Sequence, residues 1–463
     1  MKTRIIKYLV VISFLGGLLS ACSKESALDV SIINYDTYEP SEIDNWIARN
    51  LTDPYNIEVI YRYSRDQHDL NRNISPPDES KVIPQMRVVI EGFLKVYEKV
   101  GGKTFVKVYS PKQFVLFGSH NYRDDGVVIA GTADGGRRIT LYGLNYLDTT
   151  SANSVLGNLG TVHHEFTHIL NQIRTIPPDF ELVSVGDYFA NWTDNTQNPE
   201  SLSRSLGFIS RYARSSVGED FAEMLSTLVV EGQAYFDKYA YDSGQEGFNK
   251  LKAKESIVRD YLMSNFNIDL NELQYEFAKV MSQRYNSSYY DLPSLIRNVF
   301  LGEMSLNISE SWAVERGVST KFRQAFETLK QRFFGSGYNV ANLLLDFDSA
   351  NKAILKVNFT SVSGTGNYWG YYDLNFAIQP DGKIKFSLSP TQGTGTVYSN
   401  AAIEWVRNNS DPIITYLTAS AFNMGWFPFN GFSGLEDFQK YPGFFVEGEP
   451  DNYFYGPRKS KSY

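Results

Sequence analysis

His164-Glu165-Phe166-Thr167-His168 constrains this chain more than any other stretch. On a helix this spacing sets two imidazoles on one face, one turn apart, with a carboxylate beside them. That is a zinc site carrying its own general base. The sequence has only five histidines in 463 residues, so the pairing around a glutamate is not the product of a histidine-rich composition. The flanking sequence supports the helix: from Val155 to Gln172 the apolar residues Leu156, Leu159, Val162, Phe166 and Leu170 recur with a helical period. Gly157 and Gly160 each weaken such a helix by about 1 kcal/mol relative to alanine, so packing must hold its first turns.

Catalytic zinc takes three protein ligands, and the motif supplies two, His164 and His168. No histidine follows His168, which excludes the metzincin pattern, and the single cysteine, Cys22, leaves no thiolate set, so the third ligand must be a carboxylate. Gly218-Glu219-Asp220-Phe221-Ala222-Glu223 offers one. On a helix whose core stripe is Phe221, Leu225 and Leu228, Glu219 and Glu223 share another face one turn apart. One of the two meets the metal and the other stands behind it as partner of a ligating imidazole, Glu219 being the first candidate and Glu223 the reserve. Glu165 has the general-base role. Tyr212, seven positions before Glu219, is the candidate for stabilising an oxyanion. His163 points about 100° away from His164 and is expected to support the site from behind or to face solvent. His68 and His120 have no motif around them.

The chain exceeds the roughly 250–300 residues at which one core stops growing, so two folded units are expected. Residues 1–22 read as a leader: Lys2, Arg4 and Lys7 precede an apolar run from Tyr8 to Leu19, too short to span a bilayer, and Leu19-Ser20-Ala21 precede Cys22 as in a bacterial lipobox. Cys22 then becomes the lipidated first residue of the mature protein, with residues 23–45 as a polar tether. The formal charge of −8 becomes more negative once the leader is removed, and no long basic run follows, so nucleic acid is not an expected partner. The 31 tyrosines and 31 phenylalanines are read first as core filling rather than as binding surface.

Along the chain the patterning predicts a strand near 56–63, a helix over 84–100, strands at 105–117, 127–130 and 137–142, the metal helix, and helices at 218–239 and 261–281. The last of these early strands, 137–142, is the expected sheet edge for an extended peptide. The polar stretch through Asn191-Trp192-Thr193 reads as a loop on a cleft rim. After about residue 345 strands dominate, with Pro380-Asp381-Gly382 as a hairpin turn. The expected fold class is α+β: a zincin-like catalytic domain of mixed sheet and active-site helices over 46–320, then a β-rich domain over 321–463.

The lipobox at Cys22, HEFTH at 164–168 and GEDFAE at 218–223 together resemble the zinc-binding metallopeptidase lipoproteins, a gluzincin-type family. Its members are also described as substrate-import-associated zinc metallohydrolase lipoproteins and occur beside outer-membrane nutrient importers. The resemblance spans roughly residues 20–300. It implies Zn2+ as cofactor, a peptide or protein substrate with glycoproteins included, a lipid anchor in the outer membrane, and association with an import complex. The arrangement is also similar to that of lethal-factor-type toxins. By that likeness Glu219 is the ligand, Glu223 its supporting carboxylate and Tyr212 the proton donor, although Asp220 stands where the toxin pattern has an aromatic. A non-catalytic surface lipoprotein that binds substrate, with a vestigial or structural zinc site, is the alternative.

Overall fold

Two sheets, each with its own layer of helices, organise the protein. The computed structural model describes residues 39–69, 71–429, 432 and 434–463. Cys22, the leader and most of the expected tether lie outside the described residues.

The first sheet is four-stranded and mixed: β1 (Glu58–Ile60), β2 (Gln113–Leu116) and β6 (Arg138–Leu141) run parallel, and β5 (Gly131–Asp134) returns antiparallel to β6. A separate short hairpin pairs β3 (Asn121–Tyr122) with β4 (Val128–Ile129). The strand order β1-β2-β6-β5 corrects one expectation. The segment expected at the edge, now β6, is interior, and β5 forms the edge. The turn after Asp134, with Gly135 and Gly136 both at positive φ, folds β5 and β6 into a hairpin and places β5 outermost.

Helices α1 (Glu79–Val89) and α2 (Lys95–Tyr109) are joined by a widened π-helical turn, Ile90–Leu94, and α2 is kinked at Gly102. The expected strand at 105–117 is thus half helix. Phe105, Val106 and Tyr109 fit a helical face as well as an alternating one, and stacking of Phe105 on Tyr97 at 5.6 Å favours the helix. The metal helix α3 (Ala152–Ile173) follows, then α4 (Val217–Val230), α5 (Gly232–Asp242), α6 (Gly244–Phe266) and α7 (Leu270–Tyr285). Two helices expected to be continuous are broken. Gly232 at φ 81° separates α4 from α5, and Asn267 at φ 53° ends α6 before Asp269 caps α7 through the amides of Asn271 and Glu272.

The second sheet is nine-stranded and antiparallel throughout. Its long strands are β8 (Tyr338–Ser349), β9 (Lys352–Ser361) and β10 (Asn367–Ile378), and β10 turns into β11 (Ile384–Leu388) at the expected Pro380-Asp381-Gly382 hairpin. It includes the short strands β7 (Glu303–Ser305), β12 (Ala421–Trp426), β13 (Pro442–Phe445), β14 (Tyr453–Tyr455) and β15 (Arg458–Lys459), and its order is β14-β13-β12-β11-β10-β9-β8-β7-β15. The helix at Thr320–Gly335, with Phe322, Phe326, Leu329 and Phe333 on one stripe, lays its apolar side on Leu343, Leu345, Phe347, Leu355 and Val357. Many of the aromatic residues are thus core. Mixed helices and strands make the class α+β. Residues Trp46–Tyr463 pack as one unit. Among the described residues no helix is long and apolar enough to cross a membrane.

His163 departs from its expected place. It is fully buried, in a cage of Phe93, Tyr97 and Phe277, and its Nε2–H donates to the Gly92 carbonyl at 3.2 Å. The π-widened turn presents that carbonyl, and Gly92 is where α3 comes closest. A Cβ there would lie 2.4 Å from Leu159 Cδ1, and Leu159 is itself fully buried. Gly92→Ala, although it adds about 1 kcal/mol of helix propensity, is expected to lower stability by about 1–3 kcal/mol through overpacking, read as a fall in melting temperature; an unchanged or higher Tm would show that Leu159 has room to move.

Burial lowers the His163 pKa from 6.5 to about 4, against the hydrogen bond to Gly92. The unfolded chain therefore takes up this proton near pH 6.5 and the folded protein only near pH 4, so stability falls as the pH drops through that window, by up to roughly 3 kcal/mol. With a chelator present, the drop in Tm between pH 6.5 and 4.5 should be smaller for His163→Phe than for the parent, and equal drops would refute the assignment.

Candidate metal centre

Helix α3 starts at Ser151, whose hydroxyl accepts from the Ser154 amide at 3.4 Å. One face buries Val155, Leu159, Val162, Phe166 and Ile169, and the other turns Thr161, His164, Glu165 and His168 toward an open cleft of about 880 Å³. Helix α4 is capped by Ser216, whose hydroxyl accepts from the Glu219 amide at 3.3 Å, and Phe221, Leu225 and Leu228 fix it in the core. Glu219 therefore sits in the first turn, where the helix dipole favours negative charge.

Packing of α4 on α3 brings three donor atoms together. His164 Nε2 lies 3.1 Å from His168 Nε2, and Glu219 Oε2 lies 3.0 Å from the first and 3.2 Å from the second. Four donors at 2.0–2.1 Å from a tetrahedral zinc stand about 3.3 Å apart, so this triangle has the size such an ion needs. Three donors rather than four converge here among the described residues, and His168 and Glu219 remain partly open to the cleft. That is the donor count of a catalytic site rather than a closed structural one. The residues thus fit Zn2+. Glu223 meets the other nitrogen of the first imidazole: its Oε1 is 3.0 Å from His164 Nδ1.

The electrostatics also call for a cation. Glu165, Glu219 and Glu223 surround two imidazoles. Without metal, burial disfavours charge on His164, yet hydrogen bonds to Glu219 and Glu223 outweigh it and raise the pKa to about 10. Burial likewise opposes the charge on Glu219, but His164 and His168 hold its carboxyl well below the usual range. Metal must displace the imidazole proton, so its affinity weakens with falling pH. Burial raises the Glu165 carboxyl, against the attraction of His164 and His168.

Asp220 accounts for its own departure from the toxin pattern. It points away from the centre into the interior, where Oδ2 meets Lys254 Nζ at 2.7 Å and accepts from the Tyr188 hydroxyl at 3.0 Å, with both members of the ion pair fully buried. Burial raises Asp220 to about 6 and lowers Lys254 despite their attraction. The pair anchors α4, so Glu219 rather than its neighbour faces the imidazoles.

Tyr212 lies over the centre from the preceding loop. Its ring centroid is 6.0 Å from that of His164. Burial and the Glu219 carboxylate raise its pKa, so it stays protonated. Trp192 packs on it at 5.0 Å and lines the cleft, in keeping with the rim expected for its loop. Across the cleft runs β5, on which Gly131 lies so close to α3 that a Cβ would be 2.6 Å from Thr161 Cγ2 and 3.2 Å from Glu165 Cγ.

All the sequence-selected site residues among those described, His164, Glu165, His168, Tyr212, Glu219 and Glu223, thus meet in one cleft. His68 and His120 do not; the first packs on Phe117 and the second stacks on Tyr146. The sequence reading missed β5 and Ser210, whose hydroxyl donates to Glu223 Oε2 at 2.8 Å. A serine in a loop carries no signal of such a contact, and Gly131-Thr132-Ala133-Asp134 lacks the apolar content that marks a strand.

The sequence profile of the family described as "Putative zinc-binding metallo-peptidase" matches residues 36–271, a span that holds every residue of the centre. A solved structure, that of a "putative zinc-binding metallo-peptidase" from Bacteroides caccae ATCC 43185, is 27% identical, covers 54% of this chain and 98% of its own, and superposes with a TM-score of 0.46. No curated protein matches the chain. With just over half of its length matched by that profile, the chain belongs to the zinc-binding metallo-peptidase family.

Proposed function

We propose that the protein is a zinc-dependent peptidase of the gluzincin type, held by a lipid on Cys22 at the outer membrane of a bacterial envelope, where it serves nutrient import. The observation that carries the catalytic reading is the triangle of His164, His168 and Glu219 beside Glu165 at the base of an open cleft. His164, His168 and Glu219 hold the metal, and Glu223 orients His164 through its second nitrogen. Bound there, Zn2+ supplies Lewis acidity, polarising a carbonyl and bringing the pKa of water toward neutrality.

The chain's own groups do the rest. Glu165 accepts the proton of the attacking water and passes it to the leaving amine, and its burial, by raising its basicity, suits both transfers. Tyr212 donates a hydrogen bond to the oxygen on which negative charge develops. The exposed edge of β5 pairs with an extended peptide as an added strand, which sets the scissile bond over Glu165. The lipobox supports the anchor, and the family resemblance supports a role beside a glycan or peptide importer.

Metal analysis of the protein lacking residues 1–22, followed by peptide-library cleavage, tests the reading. The parent and Glu165→Gln should each carry one zinc and Glu219→Ala none. Turnover should fall about 10²–10⁴-fold in Glu165→Gln and about 10²-fold or more in Tyr212→Phe. A well-folded parent free of zinc, or a zinc-loaded one that cuts no peptide, would turn the assignment toward a binding protein. For the anchor, full-length protein should incorporate labelled palmitate and partition with membranes, and Cys22→Ser should do neither; labelling that survives the substitution would remove the lipobox assignment.

A further inference from the structure

We infer that Ser210 is a positioning residue that couples the loop carrying Tyr212 to the metal-binding imidazole of His164, through Glu223. Three contacts form one chain. The Ser210 hydroxyl donates to Glu223 Oε2 at 2.8 Å, the opposite oxygen of the same carboxylate meets His164 Nδ1 at 3.0 Å, and the Ser210 oxygen accepts from the Ala213 amide at 2.9 Å. The last contact closes a turn around Tyr212, so one hydroxyl fixes both the second carboxylate and the backbone next to the tyrosine.

The chemistry gives each contact a consequence. A carboxylate rotates about its terminal bond, and Glu223 can orient His164 only if that rotation is restrained. Ser210 supplies the restraint at the oxygen His164 does not use. An imidazole held through its second nitrogen keeps one tautomer and one ring plane, and loss of such a partner typically weakens metal binding 10–100-fold. The same serine holds the turn from which the Tyr212 ring lies over that of His164. The rest of the loop is pinned elsewhere: the Tyr239 hydroxyl donates to the Phe208 carbonyl, Arg214 Nε donates to the Asp187 carbonyl, and Lys254 Nζ donates to the Gly207 carbonyl. Removing the Ser210 hydroxyl should therefore release the coupling without unfolding the loop.

The inference rests on the proposed zinc site, and its test separates the two. Zinc dissociation constants are measured by chelator competition on protein expressed from the full chain. Ser210→Ala should bind zinc about 10-fold more weakly or worse, and Ser210→Thr should restore most of the loss. Ser210→Ala combined with Glu223→Gln should bind no more weakly than Glu223→Gln alone, because both act along one chain. At saturating zinc, Ser210→Ala should lower kcat when Tyr212 is present and have no effect in a Tyr212→Phe background. Parent-like affinity in Ser210→Ala, equal weakening in Ser210→Thr, or additive losses in the double variant would each overturn the coupling. Circular dichroism of the zinc-free variants excludes unfolding as the cause. A parent that binds no zinc sinks the zinc reading itself, before any variant is compared, and this inference with it.

Discussion

The convergence of Glu219 on His164 and His168 is the constraint from which the rest of the site follows. Three carboxylates gather around two partly buried imidazoles, a charge arrangement that proteins tolerate only when protons or a cation balance it. What makes the gathering stable is apolar. Phe166 on α3 is enclosed by Phe93 and Tyr97, and Phe221 on α4 packs against Phe180 and Tyr261, so the two helices cannot rotate to separate their polar faces. The hydrophobic core holds an electrostatically costly cluster in place, and the fit to zinc is its chemical use.

Around this centre the supporting contacts are graded. Glu223 stands behind His164, Ser210 behind Glu223, and the Asp220–Lys254 pair fixes the helix on which both glutamates ride. A buried ion pair of this kind adds little net stability but is very costly to break from one side, and so it sets register. One position of slip along α4 would carry Glu219 away from the imidazoles. The edge strand β5 faces the same problem across the cleft. Gly131 lets the backbone approach Glu165 within van der Waals reach, and any larger side chain would push the two apart.

The nine-stranded sheet stands apart from this chemistry. Its strands and helices bury an extensive aromatic and aliphatic core, and no residue of that sheet lines the metal cleft. The family profile ends at residue 271, before its first strand. Several contacts join the C-terminal segment to the helical layer, among them Asp237 on α5, which accepts from Arg458 and Ser460, and Tyr463, whose hydroxyl donates to the Tyr241 carbonyl.

The grouping of the candidate ligands was legible in the sequence because it is local. His164, Glu165 and His168 fall within two turns of one helix, and Glu219 and Glu223 within one turn of another, so 3.6-residue periodicity determines which groups share a face. The α+β class and the hairpin at Pro380-Asp381-Gly382 were legible for the same reason, as matters of period and turn chemistry. Periodicity could not decide between helix and strand at 105–109, where neighbouring rings made the choice, nor find the ends of α4 and α6, where Gly232 and Asn267 at positive φ interrupt otherwise continuous apolar stripes. It turned His163 away from His164 but left open whether it supports the centre or faces solvent, whereas packing encloses it in an aromatic cage. Tertiary structure alone decided which glutamate meets both imidazoles, which strand forms the sheet edge, and that Ser210 reaches Glu223. Each of these depends on contacts between distant segments, and their distances are set by how helices, loops and strands pack rather than by any repeat along the chain.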